Sequence, residues 1–78
     1  MTEEANAIVL NIINGLDIQR GKIASLSHET MQDYLRADKV GDIDESSKAL
    51  KEMKRYADAY DAIRTAINIF QDVKEGRL

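Results

Sequence analysis

The sequence feature that most constrains the fold is a regular spacing of apolar residues in the second half of the chain. The intervals alternate between four and three residues, at Ala49, Met53, Tyr56, Tyr60, Ile63, Ile67 and Phe70. This heptad spacing places the side chains on one face of an α-helix. No proline occurs in the 78 residues, so no position carries the strongest helix breaker. The pattern predicts a helix over about residues 45–75.

The first half of the chain carries a less regular stripe that predicts a helix over about residues 3–38. Thr2 is a suitable N-cap, and acidic residues follow in the first turn. The stripe consists of Ala5, Val9, Ile12, Leu16, Ile23 and Leu26, and continues with an offset at Met31, Tyr34 and Leu35. Gly15 and Gly21 weaken the helix. A break between them stays open, but the stripe keeps its phase there and favours one continuous helix.

The segment 39–44 predicts the turn between the two helices. Gly41 suits the left-handed conformation that ends a helix. Asp42 with Glu45 three residues later matches a capping box, and Asp44 is a competing cap. Helices joined by a short turn pack antiparallel. We therefore predict an all-α fold, a single domain over residues 1–78 that forms a long antiparallel hairpin. Residues whose numbers total about 83 should lie side by side, and caps and charges should close the turn end.

The end of the hairpin that carries both termini has more apolar surface than two helices can bury between them. The first helix presents Ile8, Val9, Leu10, Ile12, Ile13, Leu16 and Ile18. The second presents Ala62, Ile63, Ala66, Ile67, Ile69, Phe70 and Val73. A helix that is apolar nearly all round is buried on several sides, and a large exposed patch marks an interaction site. The predicted interface consists of Ile8, Val9, Ile12, Ile13, Leu16, Ile63, Ile67, Phe70 and Val73.

A break near Gly15 to Gly21 would produce a third helix that folds back over part of this surface. With a continuous first helix, two occupants of the interface are compatible with the sequence. A chain of this length buries only roughly 60% of its unfolded surface, so a monomer is marginally stable. The chain has no cysteine, so it has no disulfide to compensate. A second copy, giving a homodimeric four-helix bundle, is the favoured occupant. The alternative is a helix of another protein that docks in an apolar groove.

Composition disfavours several other classes of function. The net charge of -3 disfavours nucleic-acid binding, which needs an excess of Lys and Arg. The longest apolar run covers residues 7–10, far short of the roughly 20 residues of a membrane span. Thr2 and Glu3 do not form the basic region of a signal peptide. One histidine, His28, and no cysteine predict no metal site and no cofactor. We expect a cytoplasmic protein.

A basic strip over residues 48–55 provides an alternative binding site. Arg36 faces this strip across the predicted hairpin. The candidate anion contacts are Arg36, Lys48, Lys51 and Arg55. Nearby acidic residues offset these charges, so weak binding of an anion or nucleic acid is an alternative rather than the main prediction.

Three short fragments resemble the all-helical chorismate mutases. They read RGKIA over residues 20–24, DIDE over residues 42–45 with Leu50 beyond it, and IFQ over residues 69–71. Members of this family are small intertwined helical dimers. The resemblance therefore implies a dimeric architecture, and it adds a catalytic or ligand-binding dimer as an alternative.

The chain departs from that family at the charged positions. The family carries an Arg-Glu pair just after the Asp-Ile-Asp stretch, where this chain has Glu45 and Ser46. The family's early arginine is also missing, because the first basic residue is Arg20. Binding a dicarboxylate requires several convergent cations. We therefore predict that the chain is not an enzyme. It is expected to be a helical protein–protein interaction module, such as an adaptor, a chaperone or a phage-type inhibitor.

Overall fold

The computed structural model describes residues 2–77 and contains two helices. Helix α1 spans Glu3–Lys39 and helix α2 spans Ile43–Lys74. The predicted all-α hairpin is confirmed. Helix α1 passes unbroken through Gly15 and Gly21, and at both positions a Cβ atom would meet no neighbouring atom. The alternative with a break in the first segment is therefore wrong.

Side-chain caps begin both helices where the sequence predicts them. The Thr2 hydroxyl accepts a hydrogen bond from the Ala5 N–H at 3.1 Å. The Asp42 carboxylate accepts one from the Glu45 N–H at 3.2 Å. Asp44 lies inside the first turn of α2, so it is not the cap. Each cap satisfies one of the backbone donors that a helix leaves free at its start.

A left-handed glycine ends each helix. Gly41 has a φ angle of +75° and Gly76 a φ angle of +76°. At the turn, the Gly41 N–H donates to the Asp38 carbonyl at 3.1 Å, and the Asp42 N–H donates to the Ala37 carbonyl at 2.9 Å. This pair of hydrogen bonds is the Schellman motif. Only Val40, Gly41 and Asp42 separate the two helices, so the chain reverses its direction within three residues.

The face of α2 that packs against α1 is the predicted one. All seven positions of its heptad stripe are buried or half-buried: Ala49, Met53, Tyr56, Tyr60, Ile63, Ile67 and Phe70. Ser46 extends the same spacing by one step toward the turn and is half-buried. The stripe therefore keeps one phase along the whole helix.

The packing face of α1 differs from the prediction. Its buried and half-buried heptad positions are Asn6, Val9, Ile13, Leu16, Arg20, Ile23, Ser27, Thr30, Tyr34 and Ala37. The prediction is wrong for four large side chains, which are exposed: Ile12, Leu26, Met31 and Leu35. The predicted offset is also wrong, since the heptad phase of the buried positions is constant along α1.

Side-chain size explains this difference. The half of α2 nearest the turn places the long side chains of Met53 and Tyr56 toward α1. In the register predicted from the turn, where level residues have numbers that total about 83, Thr30 and Ser27 lie level with these two residues. Small residues opposite large ones let two helices approach closely. A face that ran through Leu26 would set large side chains against large ones. Ser27 and Thr30 therefore form part of the contact with α2. A search for apolar residues alone does not find them, because both are polar.

Polar side-chain interactions do not connect the two helices. Within residues 2–77, every side-chain hydrogen bond and ion pair joins residues at most five positions apart. Lys54 pairs with Asp58 at 3.0 Å, for example. A second local interaction joins Arg77 to Asp72. This hydrogen bond, together with the charge of Glu75, raises the pKa of the Arg77 guanidinium above its ordinary value. The helices are therefore held together by packing along one face of each.

The hairpin is long and thin, with extents of 57 × 18 × 12 Å. Over residues 2–77, five side chains are buried: Val9, Thr30, Ala37, Ala49 and Ile67. None of them is completely enclosed. Two helices form a single layer of contact, so each residue at that contact keeps an edge open to solvent.

Candidate functional site

A groove lies on one face of the hairpin, at the end that carries the turn. Ala37 and Ala49 lie among its lining residues. Its charged lining residues are Asp33, Arg36, Asp42, Glu45, Lys48 and Glu52. They include residues from one flank of α1 and from one flank of α2. The side of the hairpin that carries this groove is called the groove face below.

The same flank of α1 becomes apolar toward the termini. Because the buried positions keep their heptad phase, residues separated by multiples of seven share a flank. Ile12 and Ala5 precede Asp33 by 21 and 28 positions, and Ile8 precedes Arg36 by 28 positions. These three apolar residues therefore lie on the groove face.

The matching flank of α2 follows the same rule. The positions 14 and 21 residues after Lys48 and Glu52 are all apolar: Ala62, Ala66, Ile69 and Val73. The groove face is therefore charged at the turn end, and it is apolar on both helices at the terminal end. We call its apolar part the terminal patch, which consists of Ala5, Ile8, Ile12, Ala62, Ala66, Ile69 and Val73.

The large side chains of the terminal patch are open to solvent. Ile8 is 55% exposed and Ile69 is 49% exposed, and Ile12 and Val73 are exposed as well. A single exposed aliphatic side chain is ordinary on a protein surface. A stripe on two adjacent helices that share a face is typical of an interaction site.

The structure places the nine predicted interface residues in two environments. Three of them are exposed on the groove face: Ile8, Ile12 and Val73. The other six lie buried or half-buried between the helices: Val9, Ile13, Leu16, Ile63, Ile67 and Phe70. The predicted set omits Ile69, although this residue is exposed in the centre of the patch. The heptad spacing in the sequence could have identified it, because Ile69 lies three heptads after Lys48 and so shares its flank of α2.

The predicted anion contacts do not form one cationic site. Arg36 and Lys48 line the groove, but its carboxylates outnumber them: Asp33, Asp42, Glu45 and Glu52. Arg36 is also paired with Asp33. Lys51 is not among the lining residues, and Arg55 borders a separate shallow depression beside Tyr56. The lining therefore carries a negative net charge, which disfavours anion binding in the groove.

Two carboxylates that lie three positions apart on α2 each form an ion pair with a basic residue of the same helix. Asp58 pairs with Lys54 at 3.0 Å and Asp61 pairs with Arg64 at 3.5 Å. Over the described residues, no three His, Cys, Asp or Glu side chains form a group that could hold a metal ion. Over the same residues, neither helix has a stretch long and apolar enough to span a membrane.

The expectation that caps and charges close the turn end is wrong for the opposite face. Leu35 and Leu50 are exposed there, and so is Ile43 at the start of α2. The packing residue Tyr34 lies between Leu35 and the groove face, and Ala49 separates Leu50 from it in the same way. The prediction fails because it assigned Leu35 to the contact between the helices.

Comparisons of the chain with protein-family models, with curated proteins and with solved structures give no match. Over residues 2–77, the terminal patch is an apolar stripe to which both helices contribute exposed side chains.

Proposed function

We propose that this protein is a small, non-enzymatic binding module that uses the terminal patch as its docking surface. The observation that carries the proposal is the set of exposed aliphatic side chains that both helices present on the groove face. Ile8 and Ile12 come from α1, and Ile69 and Val73 come from α2. Such an apolar face suits a pair of helices supplied by a protein partner.

The energetics favour an occupied patch. Full burial of a Val, Leu or Ile side chain stabilises a protein by about 1.5–3 kcal/mol. The terminal patch offers four such side chains, all of them at least one-third exposed in the isolated hairpin. Because about half of each side chain is already covered, their combined burial adds about 3–5 kcal/mol, a large part of the free energy of unfolding of a small domain. A partner that covers the patch therefore contributes a large part of the stability of the complex.

The arrangement of charges supports binding rather than catalysis. An enzyme of the chorismate mutase type needs several cations that converge on its substrate. Here Arg20 pairs with Asp17, and Arg36 pairs with Asp33. The absence of cysteine from the sequence is in keeping with a reducing, cytoplasmic environment. An adaptor, a chaperone and an inhibitor of another protein all fit a module of this kind.

Site-specific photocrosslinking tests the proposal. A benzophenone side chain placed at Ile8 lies on the groove face, whereas one at Ile18 lies on the outer side of the same helix. The two positions have similar exposures of 55% and 61%, so they form a matched pair. We expect irradiation in the native cells to give one dominant adduct from position 8 and little from position 18. Mass spectrometry then identifies the crosslinked residue, whether it belongs to a second copy or to another protein.

Two results would contradict the proposal. One is equal crosslinking from both positions, which would mean that the groove face has no preference for a partner. The other is the absence of any adduct from position 8 while the helix content of the variant remains unchanged by circular dichroism.

A further inference from the structure

We propose that a second copy of this chain covers the groove face, packed with both turns at the same end. This inference rests on the proposed function, because it names the partner of the same terminal patch. Three observations support it: the area of exposed surface, the distribution of apolar residues along the face, and the order of its charges.

The isolated hairpin exposes more surface than a compact chain of its mass. Its solvent-accessible area is 5849 Å². A compact monomer of 8.8 kDa exposes about 4,800 Å². The excess is roughly 1,000 Å², and a stable interface of standard size buries about 800 Å² on each partner. Pairing two hairpins along one long face therefore removes an area of the size that a stable dimer requires.

The distribution of apolar residues selects the orientation of the second copy. If two fully overlapping copies placed their turns at opposite ends, the terminal patch of each would cover the charged groove of the other. Asp33 and Arg36 would then be desolvated against Ile8 and Ile12. Burying such an ion pair against apolar side chains costs desolvation free energy that the attraction within the pair does not fully repay. With both turns at the same end, each terminal patch covers the other and the charged halves meet.

The charges of the groove face are complementary in this orientation. A two-fold axis parallel to the helices sets α1 of one copy against α2 of the other, in the antiparallel register found within one hairpin. Residues whose numbers total about 83 again lie level with each other. Three charged residues of α1 then lie near an opposite charge on α2, in the pairs Glu29 with Arg55, Asp33 with Lys48, and Arg36 with Glu45, whereas Lys22 and Glu52 have no such partner.

The mass of the purified chain and one distance test this inference. We expect sedimentation equilibrium to give the mass of two chains. The chain has no cysteine, so Lys39→Cys introduces a single site for a spin label at the turn end of α1, where the native side chain is exposed and does not line the groove. With both turns at the same end, the two labels should lie well under half of the 57 Å hairpin length apart. The variant Ser25→Cys, near the middle of α1, provides a control for label incorporation and for dimer formation.

Each alternative result overturns the inference in a different way. A dimer whose turn labels lie about one hairpin length apart has the opposite orientation. A chain that stays monomeric at millimolar concentration has no self-association. In that case, a groove-face crosslink to a different protein would still support the proposed function. Failure of both experiments would remove the proposed function as well.

Discussion

At the scale of single residues, the ends of the helices follow directly from the sequence. Thr2, Asp42 and Gly41 occupy the conformations that their residue types favour. These preferences are local, because they depend on one side chain and the backbone within a few positions of it. For that reason the caps and the turn were predictable, whereas contacts between the helices required information from both.

Gly41 has a left-handed backbone conformation and Gly21 a helical one, so substitution by alanine should have opposite effects on stability at the two positions. At Gly41, where φ is +75°, Gly41→Ala should lower the free energy of unfolding by about 1–2 kcal/mol. Gly21 is helical, and a Cβ atom there meets nothing within 4 Å. Gly21→Ala should therefore raise the free energy of unfolding by about 0.5–1 kcal/mol. Urea denaturation of both variants measures the difference. Equal effects of the two substitutions would contradict the assignment of Gly41 to the turn.

At the scale of the elements, the two helices differ in how much their sequences reveal. The packing face of α2 carries large apolar side chains at unbroken heptad spacing, so its pattern was readable although Ile69 and Val73 lie off that face. Helix α1 carries large apolar residues on several sides, and its packing face includes Ser27 and Thr30. The choice between its overlapping stripes depends on the size of the side chains on α2. The sequence of α1 alone does not contain this information.

Exchanging a buried and an exposed residue tests the packing face of α1. Thr30 is buried level with Met53, so Thr30→Leu should overpack the contact and destabilise the hairpin by about 1–3 kcal/mol. The substitution Leu35→Thr changes an exposed side chain, so its effect should stay within about 0.5 kcal/mol. Thermal unfolding by circular dichroism ranks the two. If Leu35→Thr were the more destabilising change, the packing face would instead run through Leu35.

At the scale of the whole molecule, excess apolar surface was predictable but its arrangement was not. The sequence predicts Ile8, Ile12 and Val73 as interface residues, but it does not separate them from six other predicted residues that pack between the two helices. The separation of the surface into a charged groove and a terminal patch appears only when both helices are placed side by side. It also reveals a second apolar area, at Leu35, Ile43 and Leu50, on the opposite face at the turn end.

The stability of the hairpin should depend on protein concentration. If folding is linked to dimer formation, a 100-fold increase in concentration should stabilise the folded state by about 2.7 kcal/mol. For a chain of this length, that change should raise the melting temperature by several degrees. Calorimetry over this concentration range provides the measurement. A melting temperature independent of concentration would mean that the hairpin folds without a second copy.

The dimer dissociation constants of three lysine variants show whether the terminal patch binds a second copy. Ile8→Lys places an uncompensated charge twice in the symmetric interface. It should raise the dissociation constant, measured by sedimentation equilibrium, by about 100-fold or more. Ile18→Lys on the outer side and Leu35→Lys on the opposite face should leave it within about threefold of the original value. A dissociation constant that is unchanged by Ile8→Lys and raised by Leu35→Lys would contradict binding of a second copy at the terminal patch.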